Sequence, residues 1–106
     1  MANEFVKLAP IAEIPEGGVK VLAAGGIALA VCNVGGEIFA VDDLCTHDNG
    51  PLGEGEIVNT QIECPRHGAR FDLRTGKAMC LPAVTPIHSY PVEIRGEDIW
   101  IEVPRK

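Results

Sequence analysis

The chain has almost nowhere to place a helix. Twelve Gly and eight Pro are spread through its 106 residues, and only 37–49 runs longer than nine residues without either. A helix of average length takes about 11 residues, so a helical fold is excluded. Basic residues are also scarce: nine Lys and Arg against fifteen Asp and Glu leave a net charge of −6. Binding to nucleic acid needs clustered cations over phosphates, and that function class falls away. No apolar run approaches the length of a bilayer span. Residues 1–7 hold no basic segment leading into a long apolar one, so no signal peptide is expected. The expected setting is cytoplasmic and reducing, where four Cys point to metal or free thiols before disulfides.

What remains reads as strands. Segments 19–23 and 27–34 flank Gly25-Gly26, and 38–41 follows Gly35-Gly36; each Gly pair predicts a tight hairpin. Segment 57–63 reads as one further strand running into Cys64. Val92 and Ile94, then Ile99, Ile101 and Val103, alternate with polar neighbours across a turn at Gly96-Glu97-Asp98. Segment 5–8 suits an edge strand. No repeat or linker is visible, and 1–106 is expected to be a single all-β domain, a sandwich or stack of antiparallel sheets.

Two strings carry the chemistry: Cys45-Thr46-His47 and Cys64-Pro65-Arg66-His67, separated by sixteen residues. Each pairs one thiol with one imidazole in a turn-rich segment between strands. Two Cys and two His suit either a tetrahedral zinc or a [2Fe–2S] cluster with both His on one iron. Structural zinc sites mostly use Cys-x2-4-Cys knuckles or helical His pairs. Neither occurs here, so the spacing favours the cluster while a zinc-binding interaction module stays open as an alternative.

These residues, continued by Gly68, Phe71-Asp72 and Thr75-Gly76, resemble Rieske proteins, and most closely the small Rieske-type ferredoxins of bacterial aromatic-ring dioxygenase systems. Pro82-Ala83 and 90–103 extend the similarity over nearly the whole chain. The resemblance implies an antiparallel β-sandwich with a small cluster-binding subdomain of two loops, within about 43–72. It implies one Rieske [2Fe–2S] cluster, with Cys45 and Cys64 on one iron and His47 and His67 on the other. It also implies a one-electron carrier, not an enzyme, serving aromatic hydrocarbon catabolism. Its partners would be an NAD(P)H-dependent flavoprotein reductase and a terminal oxygenase. The small Rieske-like subunit of an assimilatory nitrite reductase is the alternative within the same chemistry. His88 is the only His outside the cluster set, so the mononuclear iron of a Rieske oxygenase cannot be built from its usual ligands.

Individual positions refine the picture. High-potential Rieske proteins carry an extra Cys in each loop and Ser and Tyr hydroxyls near sulfur; this chain has Gly50, Arg66, Ala69 and Phe71 there. A potential near the lower end of the Rieske range follows. Asn59 stands where the family often has Gly and is expected to keep a left-handed turn. Pro65, Arg66, Asp48 and Asn49 offer docking contacts beside His ligands that the resemblance puts at an exposed tip, and Pro82-Ala83 resembles the family's proline loop over the cluster. Cys32 and Cys80 read as buried small hydrophobes, His88 as a strand-edge residue, and Trp100 as packing across a sheet. Asp42-Asp43 are expected to shape the turn through side-chain bonds to backbone, and Glu54, Glu56 and Glu63 to form a solvated face.

Overall fold

Glycine pairs set the first two hairpins. Strands β2 (Val19–Ala24), β3 (Ile27–Val34) and β4 (Glu37–Asp42) turn at Gly25-Gly26 and Gly35-Gly36, whose φ angles lie between 58° and 94°. Positive φ at both central residues is what a two-residue turn needs to follow the right-handed strand twist. The structure, a computed structural model, describes residues 3–44, 51–65, 68–81 and 85–104.

The strands form three antiparallel sheets. The middle sheet has the order β2-β3-β4-β9, with β9 (Ser89–Tyr90) joined to β4. A second sheet sets β1 (Asn3–Pro10) and β10 (Val92–Arg95) on either side of β11 (Asp98–Pro104). The third, smaller sheet runs β5 (Glu56–Val58), β6 (Gln61–Glu63), β7 (Arg70–Asp72), β8 (Ala78–Cys80).

Successive strand residues point to opposite faces, so a strand covered on both sides reads as a continuous apolar run. That is the case for β3 and β4. Leu29, Val31, Ile38 and Ala40 join Ile99, Ile101 and Val103 of β11 in one core. Ala30, Cys32, Phe39 and Val41 face the other way and join Leu52, Ile62, Cys64, Ala69, Phe71 and Leu73 in a second core. The all-β expectation holds as a three-layer stack. The segment expected to carry the two loops, about 43–72, also contains β5, β6 and β7 of the third sheet.

One expected strand is divided. Segment 57–63 folds back on itself as β5 and β6, pairing Val58 with Gln61. Asn59 takes φ 57° at the turn, the one non-Gly residue with positive φ among those described. The left-handed turn expected at Asn59 is therefore present, and it is what breaks the strand. Asn59→Gly should leave stability unchanged or slightly higher, whereas Asn59→Ala should lower it by about 1 kcal/mol, read from the urea midpoint.

The outer face of the β11 sheet is covered by charge and aromatics together. The Arg95 guanidinium lies 4.4 Å from the Trp100 ring centre and 5.5 Å from that of Phe5. Trp100 thus packs across its sheet as the alternation implied, with its opposite neighbours Ile99 and Ile101 fully buried.

Candidate metal centre

Loop 44–51 begins where two aspartates leave β4. The Asp43 amide donates to the Ala28 carbonyl at 3.1 Å, which ties the start of the loop to β3. The Asp43 Oδ1 then accepts the N–H groups of Leu52 and Gly53, at 2.8 and 2.6 Å, on the far side of the loop. Asp42 works in the opposite direction: its carboxylate accepts the Tyr90 hydroxyl at 2.6 Å and the His88 amide at 3.0 Å. Burial, and then the adjoining Asp42 carboxylate, push the Tyr90 phenol up and keep it protonated. Both aspartates bond to backbone as expected, but they reach residues distant in sequence.

The second loop leaves β6. Cys64 donates its N–H to the Ala69 carbonyl at 2.7 Å and accepts the Gly68 N–H at 3.1 Å, closing a turn of six residues. The bases of the two loops lie against each other. A Cβ on Gly55 would stand 2.0 Å from the Glu63 carbonyl oxygen, so only glycine lets the chain leaving the first loop pass this close to the strand entering the second.

Of the four expected ligands, the structure describes Cys64. Cys45, His47 and His67 lie outside the described residues, as do Asp48, Asn49, Gly50, Arg66 and Pro82-Ala83. Cys64 is 1% exposed, and its Sγ has no hydrogen-bond partner among the described residues. A buried thiol of this kind, at the start of a loop carrying an imidazole, is chemically suited to bond a soft metal as thiolate. Leu52, the first buried residue after the first loop, belongs to the same core as Cys64. The donor set and the joined loop bases fit a two-iron cluster.

Comparison with known proteins decides the family. The sequence matches the Rieske [2Fe-2S] domain over residues 4–91. The chain belongs to the Rieske family. Its relatives include the 3-phenylpropionate/cinnamic acid dioxygenase ferredoxin subunit of Escherichia coli (strain K12), 44% identical over 96 residues that make up 90% of either chain. Among solved structures, the Sphingomonas yanoikuyae B1 ferredoxin superposes with a TM-score of 0.88 at 40% identity, covering 95% of this chain and 100% of that one. A ferredoxin solved in the complex of reduced oxygenase and oxidised ferredoxin of carbazole 1,9a-dioxygenase gives 0.84 at 30% identity, covering 92% and 91%. The cofactor of this Rieske protein is one [2Fe–2S] cluster, and the zinc alternative falls.

The surroundings of Cys64 in the Rieske fold are apolar. Ala69 and Phe71 are fully buried beside it in the core and carry no hydroxyl. Cys32 is a buried small hydrophobe as expected, its thiol pushed up to about 12 by burial. Cys80 is a correction. It was expected to be buried but is exposed, because β8 is the edge strand of its sheet. Its Sγ lies 3.5 Å from the Gly68 carbonyl, against the second loop. His88 is exposed and sits just before β9, its backbone paired with Asp42. Glu63, expected on a solvated face, is half-buried and paired with Arg70 at 2.9 Å.

Proposed function

We propose that this protein is the electron-carrying ferredoxin of a multicomponent aromatic-ring dioxygenase. It takes single electrons from an NAD(P)H-dependent flavoprotein reductase and hands them to a terminal oxygenase. The observation that carries this reading is the 44% identity, across 90% of both chains, with a dioxygenase ferredoxin subunit. A relative's structure in complex with its oxygenase supports the same partner here. Chain 1–106 then works as one domain and as a carrier, not a catalyst. We place it in the cytoplasm, where NAD(P)H is supplied; no helix among the described residues is long and apolar enough to cross a membrane.

In this reading Cys45 and Cys64 hold one iron and His47 and His67 the other. When bound, the cluster stores one electron at a time. The chain's own part is to hold the ligands, shield the Cys side and set the potential. Two imidazoles in place of two thiolates make the site less negative and easier to reduce than a four-Cys cluster, giving a Rieske range of about −150 to +300 mV. Ala69 and Phe71 give sulfur no hydroxyl donor to stabilise the added charge. The midpoint should therefore fall below about 0 mV, in the lower part of that range. Protein-film voltammetry checks it, and a value well above zero contradicts it.

Reconstitution tests the function. NADH or NADPH, a flavoprotein reductase, this ferredoxin and a ring-hydroxylating oxygenase should together form dihydrodiol, and omitting the ferredoxin should stop it. Failure with every oxygenase, together with stable copurification on a sirohaem subunit, would move the assignment to assimilatory nitrite reduction.

A further inference from the structure

We propose that Asp43 is the positioning residue of the first ligand loop: its carboxylate closes residues 44–51 at their base and places a fixed negative charge beside the cluster. The inference rests on the ligand assignment above and adds a residue that the assignment does not use.

The two loops are closed by different chemistry. Among the described residues, the second is held by main-chain bonds, Cys64 to Ala69 and Gly68 to Cys64, which no side-chain substitution directly removes. Among the described residues, the first is tied at its two ends by one side-chain oxygen. Asp43 Oδ1 takes both the Leu52 and the Gly53 N–H, at 2.8 and 2.6 Å, across nine and ten residues of chain. Bonds to an ionised acceptor at such short distances are the stronger kind. Both ends of the clamp are themselves anchored, since the Asp43 amide donates to Ala28 and Leu52 is fully buried. The site is also shaped for the contact. A Cβ on Gly53 would stand 2.0 Å from the Val21 side chain and 3.2 Å from Asp43 Oδ1, so a side chain there would crowd the carboxylate.

Charge gives the clamp a second consequence. Asp43 is two residues from Cys45, a span of at most about 7 Å of chain. A carboxylate that near opposes the arriving electron and adds to the low potential. Position and charge can be separated, because asparagine keeps an acceptor oxygen without the charge and alanine removes both.

The experiment uses holoprotein purified with its cluster. For Asp43→Ala, bleaching of the visible absorption under chelator should be at least about tenfold faster than wild type, and amide exchange at Leu52 and Gly53 should accelerate while β10 and β11 stay protected. For Asp43→Asn, exchange at the same two amides should rise several-fold and the midpoint should move positive, by up to about tenfold in the reduction equilibrium, or about 59 mV. If Asp43→Ala does not accumulate folded, Asp43→Asn decides alone. Wild-type protection at Leu52 and Gly53 in the variants, or an unmoved midpoint in Asp43→Asn, overturns the proposal. Wild-type protein lacking a Rieske EPR signal would instead overturn the ligand assignment, and the exchange of the two amides would still report on the clamp.

Discussion

Cys64→Ala should yield a folded protein without colour. The thiol is the described member of the proposed ligand set. It is buried at the start of its loop, and no other described sulfur can take its place. Cys32 lies fully buried in β3, with its thiol held protonated up to about 12. Cys80 sits on an exposed edge strand, its Sγ turned to the Gly68 carbonyl. Losing a directly bonded ligand costs more than the 10–100-fold in metal affinity typical of a supporting residue, so bound iron should fall by about 100-fold or more. The fold should survive. Truncation to Ala removes one sulfur from a core shared by ten other buried residues, and the second core does not involve Cys64 at all. Iron and labile-sulfide assays, with EPR of the reduced protein, read the loss; far-ultraviolet circular dichroism reads the retained strands. Cys32→Ala and Cys80→Ala should both keep the rhombic signal with mean g below the free-electron value. A Rieske signal persisting in Cys64→Ala would refute the assignment of that residue.

Gly76→Ala should be the most damaging single-methyl change in the described structure. Gly76 lies between β7 and β8 with φ 79°, and an added Cβ would meet the Ile87 carbonyl oxygen at 1.9 Å. That oxygen is backbone and cannot swing aside. Gly76 also donates to Asp72 and accepts from Ile87, both at 2.8 Å, so any retreat breaks one of these bonds. A left-handed residue with a Cβ costs about 1–2 kcal/mol, and a lost buried bond about 1–3 more. The sum, about 2–5 kcal/mol, is a large part of the 5–15 kcal/mol typical of a whole domain. The melting temperature should fall by about 10–30 °C. Gly35→Ala is the matched control: φ is positive there as well, at 60°, but nothing lies within 4 Å of the added methyl. It should cost only the backbone term, about 1–2 kcal/mol. Equal melting temperatures for the two variants would show that the close approach at Ile87 carries no weight.

Features set by local torsion or by alternation were readable from the residues alone. The Gly25-Gly26 and Gly35-Gly36 turns announce themselves, and Ile99, Ile101 and Val103 alternate so plainly that their common buried face follows. The Cys-x-His and Cys-x-x-His strings are likewise local, which is why the family resemblance shows in them. The third sheet was harder to see. Its strands are three residues each, too short for a period to show, and β5 and β6 merge into one apparent run unless Asn59 is taken as punctuation. Contacts made across loops were hidden for another reason. Nothing in Asp42-Asp43 says that one carboxylate will reach Tyr90 and the other Leu52, because both partners are fixed only once the sheets have stacked. The neighbours of Cys80 point the wrong way: Met79 and Leu81 are apolar and suggest an interior, yet both are exposed, at and just beyond the edge strand β8.

The pairing of Asn3 with Pro104 puts the two ends of the described chain side by side in the β11 layer. That layer packs on the face of the middle sheet turned away from Cys64. At about 10 Å per sheet spacing, an attachment at either end stands roughly 20 Å from the thiol side. Immobilising the protein on an electrode through its ends would leave the thiol side facing solution, whereas an attachment at Met79 or Leu81 would put the electrode on that side.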